Sequence, residues 1–163
     1  MALVSYLDEL DEQLSEAGES LDDPVERLDA IIYAFLDFGE EYPAFVDCAQ
    51  ALLRRRGDEL MKEVSEAVMY RLGRAMTACT SHVVAVLEEG TKEGVFDVKD
   101  ADLVANIFYT QALGALNLAT LQLSVRVVNP GHPRADRVHF EDVKGYVVEA
   151  ARAIARGPAP AKR

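Results

Sequence analysis

A chain of 163 residues, half of them hydrophobic, is long enough to close one compact domain around a sizeable core. Its net charge of −11 is unevenly spread, with 14 acids and one base (Arg27) in residues 1 to 50, so the clustered Lys and Arg that displace counterions from nucleic acid are missing. No apolar run reaches the ~18 uncharged residues of a membrane span, and the N-terminus has acids where an export signal needs bases. Cys48 and Cys79 lie far apart without a CxxC and read as two small core residues in a reducing cytoplasm.

In chain order, Leu3, Leu7, Leu10, Leu14 and Ala17 recur at helical spacing and predict a first amphipathic helix, stopped by Gly18. Its outer face, with Asp8, Glu9, Asp11, Glu12 and Glu16, is a solvated face without histidine partners for a metal. Asp23-Pro24-Val25-Glu26 supplies a cap, a proline at the first helical position and a glutamate three residues after the cap. The helix it starts presents Val25, Leu28, Ile31, Ile32, Phe35 and Phe38, a broad buried face, and is expected to end at Gly39. Tyr42-Pro43 restarts the chain as a short helix to Arg55, and Gly57-Asp58 breaks it and caps the next.

A middle helix of about 30 residues is predicted from Leu60 to Gly90 or Gly94, interrupted by a small, hydroxyl-rich patch, Thr77 to His82. Such a patch either admits a close neighbouring helix or lines a cavity. After a turn in which Phe96 plugs the core, Asp100 caps a long helix, Ala101 to Val128, that is apolar or small almost all round. A helix apolar on every side is buried on every side. Asn129 to Pro133 breaks it, and Phe140 to Ile154 forms a last amphipathic helix before the tail GPAPAKR, residues 157–163, which has nothing to bury and reads as disordered. The reading is all-α: one bundle-like domain of about six helices over residues 1–156, without strands or repeats.

Catalytic constellations are absent. His82, His132 and His139 have neither ExxH nor HxxxH spacing, and no GxSxG, P-loop or GxGxxG occurs, so neither an enzyme, a metal site nor a cofactor is expected. Polar and aromatic residues on otherwise apolar faces point instead to a binding pocket: Tyr33 on the second helix, Tyr70, Met76 and Thr77 on the middle one, and Asn106, Tyr109, Thr110, Leu113 and Asn117 on the long one. Each polar group would cost free energy in a dry core unless partnered, and hydrogen bonding among neighbours is the competing account. Small residues Ala112, Ala115 and Ala119, with Gln122, give the long helix a second face. Together with Phe140, Val143, Val147, Ala150, Ala151 and Ile154 of the last helix, that face would form half of a four-helix bundle closed by a two-fold axis.

The order of these segments, DPVERLDAIIYAFLDF, EEYPAFVDCAQALL, a middle helix ending VLEEGTKEGVF, then DADLVANIFYTQALGALNLA and a last helix, resembles the C-terminal ligand-binding domain of TetR-type transcriptional regulators over residues 2 to 156. The resemblance implies a homodimer built on the last two helices and an effector pocket in each subunit. It also implies a helix-turn-helix of about fifty residues ahead of the domain, and this chain begins where that module would end. On this reading the domain binds a small, mainly apolar effector and does not itself contact nucleic acid or membrane. The rival reading is a dimeric helical interaction module with a dry core.

Overall fold

The computed structural model describes residues 2–56, 58–59, 62 and 64–158. Helix α1 (Ala2–Glu19) buries Leu3, Leu7, Leu10 and Leu14, the stripe that the four-three spacing places on one face. Helix α2 (Pro24–Glu41) starts as its sequence dictates: Asp23 accepts from the Val25 N–H at 2.7 Å, and Pro24 occupies the first turn. Gly39 does not end it. The helix runs on to Glu41, and Gly39 serves as the point where Leu116 packs against the α2 backbone. Gly18 likewise lies inside α1.

Helix α3 (Pro43–Leu53) inserts Phe45, Val46 and Ala49 into the core. Helix α4 (Glu66–Lys92) is capped by Ser65, whose hydroxyl accepts from Val68 N–H, so it begins later than the expected Leu60. Gly57 and Leu60, assigned to the break and the helix start, lie outside the described residues, as do residues 159–163 of the expected tail. Gly90 stays within α4 because its missing side chain makes room for the Phe96 ring, which folds back as the core plug.

Helix α5 (Ala101–Leu121), capped by Asp100, is shorter than expected, and the all-helical reading fails at its end. Gln122 adopts φ 53°, a left-handed stop. The chain then forms an antiparallel hairpin of β1 (Leu123–Asn129) and β2 (His132–Arg137), turning at Pro130-Gly131. Leu123, Val125 and Val127 alternate with Ser124 and Arg126, a period of two in β-branched residues that favours a strand once the helix has stopped. Helix α6 (Phe140–Arg156) closes the domain.

Helix α2 is the central element and packs against each of the other five helices described. Polar ties fix it to α6: Lys144 Nζ meets Asp37 at 2.8 Å, and Arg152 pairs with Asp29. Burial alone would lower the Lys144 pKa, but its hydrogen bonds to Asp37 and Glu141 prevail and raise it. Arg27 joins α2 to Glu89 of α4. An aromatic cluster of Tyr6, Phe38, Tyr42 and Phe45, with ring centroids 4.6 to 6.5 Å apart, fills the junction of α1, α2 and α3.

Candidate functional site

Where α1, α2, α4, α5 and α6 converge, the core does not close. Leu10 and Leu14 of α1, Ile31, Ile32 and Phe35 of α2, Met76, Cys79, Thr80 and Val83 of α4, and Ala105, Phe108, Tyr109 and Ala112 of α5 surround a cavity of about 50 Å³, with Gln111, Val147 and Ala151 completing the wall. That is several times the roughly 10–15 Å³ needed to hold a water on the same scale. The gap arises because residues at the crossing are small: Cys79, Ala105, Ala112 and Ala151 leave space that larger side chains would take.

Four polar side chains reach this wall, of which Gln111 is largely exposed to solvent. Thr80 donates to Met76 O at 3.1 Å and is satisfied by its own helix. Cys79 Sγ donates to Leu7 O at 3.2 Å, tying α4 to α1. Tyr109 stacks edge-on against Phe35 with ring centroids 5.8 Å apart, and its hydroxyl makes no hydrogen bond among the described residues. Burial pushes the Tyr109 phenol up to about 12, with Cys79 adding a smaller push. Burial, then the charges of Asp11 and Asp8, push the Cys79 thiol up to about 12. Both groups therefore stay protonated at neutral pH; the thiol donates to Leu7 O, and the Tyr109 hydroxyl keeps a proton to donate. No lysine, arginine or histidine lines the cavity.

Of the residues singled out for a pocket, Met76 and Tyr109 meet there. Leu113 is buried beside it, in the core proper, where Gln50 Nε2 donates to its carbonyl oxygen. The others face elsewhere. Tyr70 is 68% exposed and Tyr33 38% exposed. Thr77, Asn106 and Thr110 are exposed and donate to backbone carbonyls three or four residues earlier in their own helices, and Asn117 is exposed. The polar set is thus mostly on helix surfaces, with Thr77, Asn106 and Thr110 bonded within their own helices. Cys79 and Ala105 carried no sequence signal beyond helical phase and small size.

The face assigned to a partner also divides. Ala112 and Ala151 line the cavity, and Val147 touches it from one side. Val143 and Ala119 are buried within the chain. Ala115 and Ala150 lie in an outward groove between α5 and α6, with Leu118 and Tyr146. Gln122 and Phe140 border a second depression near Gly39, and Ile154 is half-buried. The outward side of α5 and α6 exposes Leu103, Ile107, Leu118, Leu121 and Tyr146, the last at 80%. This places the phase of α5: Ala105, Phe108, Tyr109, Ala112 and Leu116 inward, and Leu103, Ile107, Gly114 and Leu118 outward.

Among the described residues no helix is long and apolar enough to cross a membrane, and no group of three or more potential metal-ligating side chains occurs.

No family model matches the sequence, and no curated protein matches it. Among solved structures the fold is similar to that of the TetR family transcriptional regulator PfmR from Thermus thermophilus, at 20% identity and a TM-score of 0.58, covering 97% of this chain and 75% of that one. It is also similar to a bacterial regulatory protein in the tetR family from Rhodococcus, at 14% identity and a TM-score of 0.63, covering 94% of this chain and 72% of that one. The chain therefore shares its fold with TetR family regulators over nearly its whole length.

Proposed function

We propose that the chain is the effector-binding and homodimerisation domain of a TetR-like transcriptional repressor, acting in the cytoplasm. The observation that carries this reading is the apolar cavity at the junction of α1, α2, α4, α5 and α6, with one unpaired hydroxyl, Tyr109, at its wall. A mainly apolar cavity favours an apolar guest over water, and one oriented donor is the usual means of fixing such a guest. The guest is neutral and mainly apolar, with one hydrogen-bond acceptor for Tyr109. An anion would meet no cation in the wall and would have Asp8 and Asp11 behind Cys79.

The present cavity takes a slim guest. A larger one has to part α1 from α4, which are joined across the cavity by the Cys79 Sγ to Leu7 O contact and the His82–Asp11 pair at 2.7 Å. By contrast α2 and α6 are held together by two ion pairs, Lys144–Asp37 and Arg152–Asp29. Occupancy would accordingly displace α1, and it could shift the protein only by its differential affinity for the two arrangements. Dimerisation through the outward faces of α5 and α6 rests on their exposed apolar residues.

The test is native mass spectrometry of the purified chain for a retained small molecule, with a thermal-shift series of neutral alcohols and phenols against matched carboxylates. The reading expects the neutral series to raise the melting temperature more than the carboxylates. Stabilisation by the carboxylates alone overturns the neutral, apolar guest, and stabilisation by none of these compounds with an empty native spectrum favours the dry-core interaction module.

A further inference from the structure

Gln111 of α5 and Val147 of α6 border two hollows at once. On their inner side lies the cavity, and on their outer side lies a groove of about 570 Å³ along the seam of α5 and α6. The groove is walled by Ala115 and Leu118 of α5, Val143 and Tyr146 of α6, and Arg126 and Arg137 of the hairpin. Its volume lies within the ~300–1,000 Å³ of ordinary ligand clefts, so a small molecule fits in it whole. The two residues common to both linings come one from each helix. The partition between cavity and groove is therefore one side chain deep.

We infer that this partition is the doorway of the cavity, with the Gln111 side chain as its movable leaf, and that the neutral guest enters and leaves between α5 and α6. The inference rests on the guest-binding reading above and adds the route. Gln111 is exposed, and its amide makes no hydrogen bond among the described residues. Its unbranched stem turns about staggered torsions, so it swings out into the groove without breaking a bond. Val147, branched at Cβ, is stiff and forms the fixed side of the opening. Small residues flank the pair, with Ala112 and Ala151 inside and Ala115 and Ala150 outside, so nothing bulky stands directly behind the leaf.

The other seams around the cavity are tied or filled. Parting α1 from α4 breaks the Cys79 Sγ to Leu7 O hydrogen bond and the His82–Asp11 pair. Parting α2 from α4 breaks the Arg27–Glu89 pair, and parting α2 from α6 breaks Lys144–Asp37 and Arg152–Asp29. Between α1 and α2 the lining residues Leu10, Leu14, Ile31 and Ile32 are all buried. Between α4 and α5 stands the Tyr109 ring, which packs edge-on against Phe35. Among the described residues no hydrogen bond or ion pair joins α5 to α6. The α5–α6 seam is thus the one that opens by turning a single unpaired side chain.

A doorway sets rates and leaves affinity alone. A substitution that only widens or narrows the passage changes the barrier seen from both sides, so entry and exit shift by the same factor.

The experiment follows 4-fluorophenol, a neutral phenol at pH 7, exchanging with the full chain by fluorine NMR, which reads the association and dissociation rates separately. Gln111→Ala is expected to raise both rates by roughly fivefold or more, and Gln111→Trp to lower both by as much, well inside the range over which such rates vary. His82→Ala, which loosens α1 from α4, is expected to leave both unchanged. Faster exchange in His82→Ala, with no response at Gln111, places the route between α1 and α4 and overturns the doorway. A change in dissociation alone at Gln111 makes it a contact of the bound guest and also overturns the doorway. Wild-type protein that stays folded and binds no 4-fluorophenol removes the guest reading itself. If Gln111→Trp loses helical circular dichroism, Gln111→Ala decides alone.

Discussion

Gly39 of α2 and Leu116 of α5 meet with no room for a methyl group between them: a Cβ on Gly39 would stand 2.4 Å from Leu116 Cδ1 and 2.9 Å from Cδ2. Leu116 is 2% exposed and has nowhere to retreat. Gly39→Ala gains about 1 kcal/mol of helix propensity and loses about 1–3 kcal/mol to overpacking. The expected outcome is a net destabilisation of up to about 2 kcal/mol, read from the urea midpoint. A more stable variant would show that the two helices separate readily.

Gly90 is the stronger case. A Cβ there would lie 2.2 Å from the Phe96 ring, and the Gly90 carbonyl accepts from both the Val95 and Phe96 amides. The aromatic plug cannot shift without opening those bonds. Gly90→Ala should cost about 2 kcal/mol, the ~3 kcal/mol upper end for overpacking less about 1 kcal/mol of helix propensity, and Gly90→Ala combined with Phe96→Leu should recover part of it. Equal losses for the single and the double variant would refute this close packing.

These two glycines show where the sequence was legible and where it was not. Capping at Asp23, Ser65 and Asp100 is local chemistry, and local pattern predicts the Asp23 and Asp100 caps directly. The buried stripe of α1 follows from spacing in the same way. A glycine that stops a helix and one that admits a neighbour look the same in sequence, because the difference lies in Leu116 or Phe96, far away or across a turn. The sequence reading misses the hairpin, because Leu123, Val125 and Val127 also continue the apolar helical pattern before them. Of the residues expected at a pocket, Met76 and Tyr109 lie at the cavity wall. Thr77, Asn106 and Thr110 bond within their own helices, an arrangement of hydroxyl and amide side chains that helical phase alone does not reveal.

Alkaline pH should weaken the fold. Cys79 and Tyr109 have folded-state values pushed up to about 12, above ordinary values of 9.0 and 10.0. Above pH 9 the unfolded chain loses these protons while the folded chain keeps them, so the slope of unfolding free energy with pH is negative. Stability is full below pH 9 and declines from there to about 12. Cys79→Ala should flatten the first part of that decline in urea midpoints taken at pH 8, 9 and 10. An unaltered slope would assign the loss to other groups.

Arg152 pairs with Asp29, whose side chain is only 15% exposed, and also with Glu149 at 2.8 Å. These bonds raise the arginine pKa further, so it remains a cation at any workable pH. Arg152→Met keeps the aliphatic stem but leaves the Asp29 carboxylate without its partner. The cost should be about 2 kcal/mol, as for other hydrogen bonds to charged groups. Asp29→Asn in the Arg152→Met background should restore part of it, measured by thermal or urea unfolding. No recovery would mean that packing of the stem, not the carboxylate, sets the loss.

The cavity makes the last prediction, and two substitutions separate its space from its polarity. Ala112 is 4% exposed at the cavity wall, so Ala112→Phe should fill the void and block a neutral apolar guest. The protein should stay folded, because the added ring occupies existing space instead of displacing neighbours. Tyr109→Phe leaves the volume and the contact with Phe35 in place and removes only the unpaired hydroxyl. With no protein acceptor lost, the apo protein should be unharmed or slightly more stable. Affinity for a phenol or alcohol should fall roughly tenfold, the worth of one neutral hydrogen bond of about 1.4 kcal/mol, while affinity for a hydrocarbon of the same shape should not change. Calorimetry on the three proteins with both guests reads this directly. Binding that survives Ala112→Phe would place the guest outside this cavity, and equal losses for both guests in Tyr109→Phe would assign Tyr109 a packing role alone.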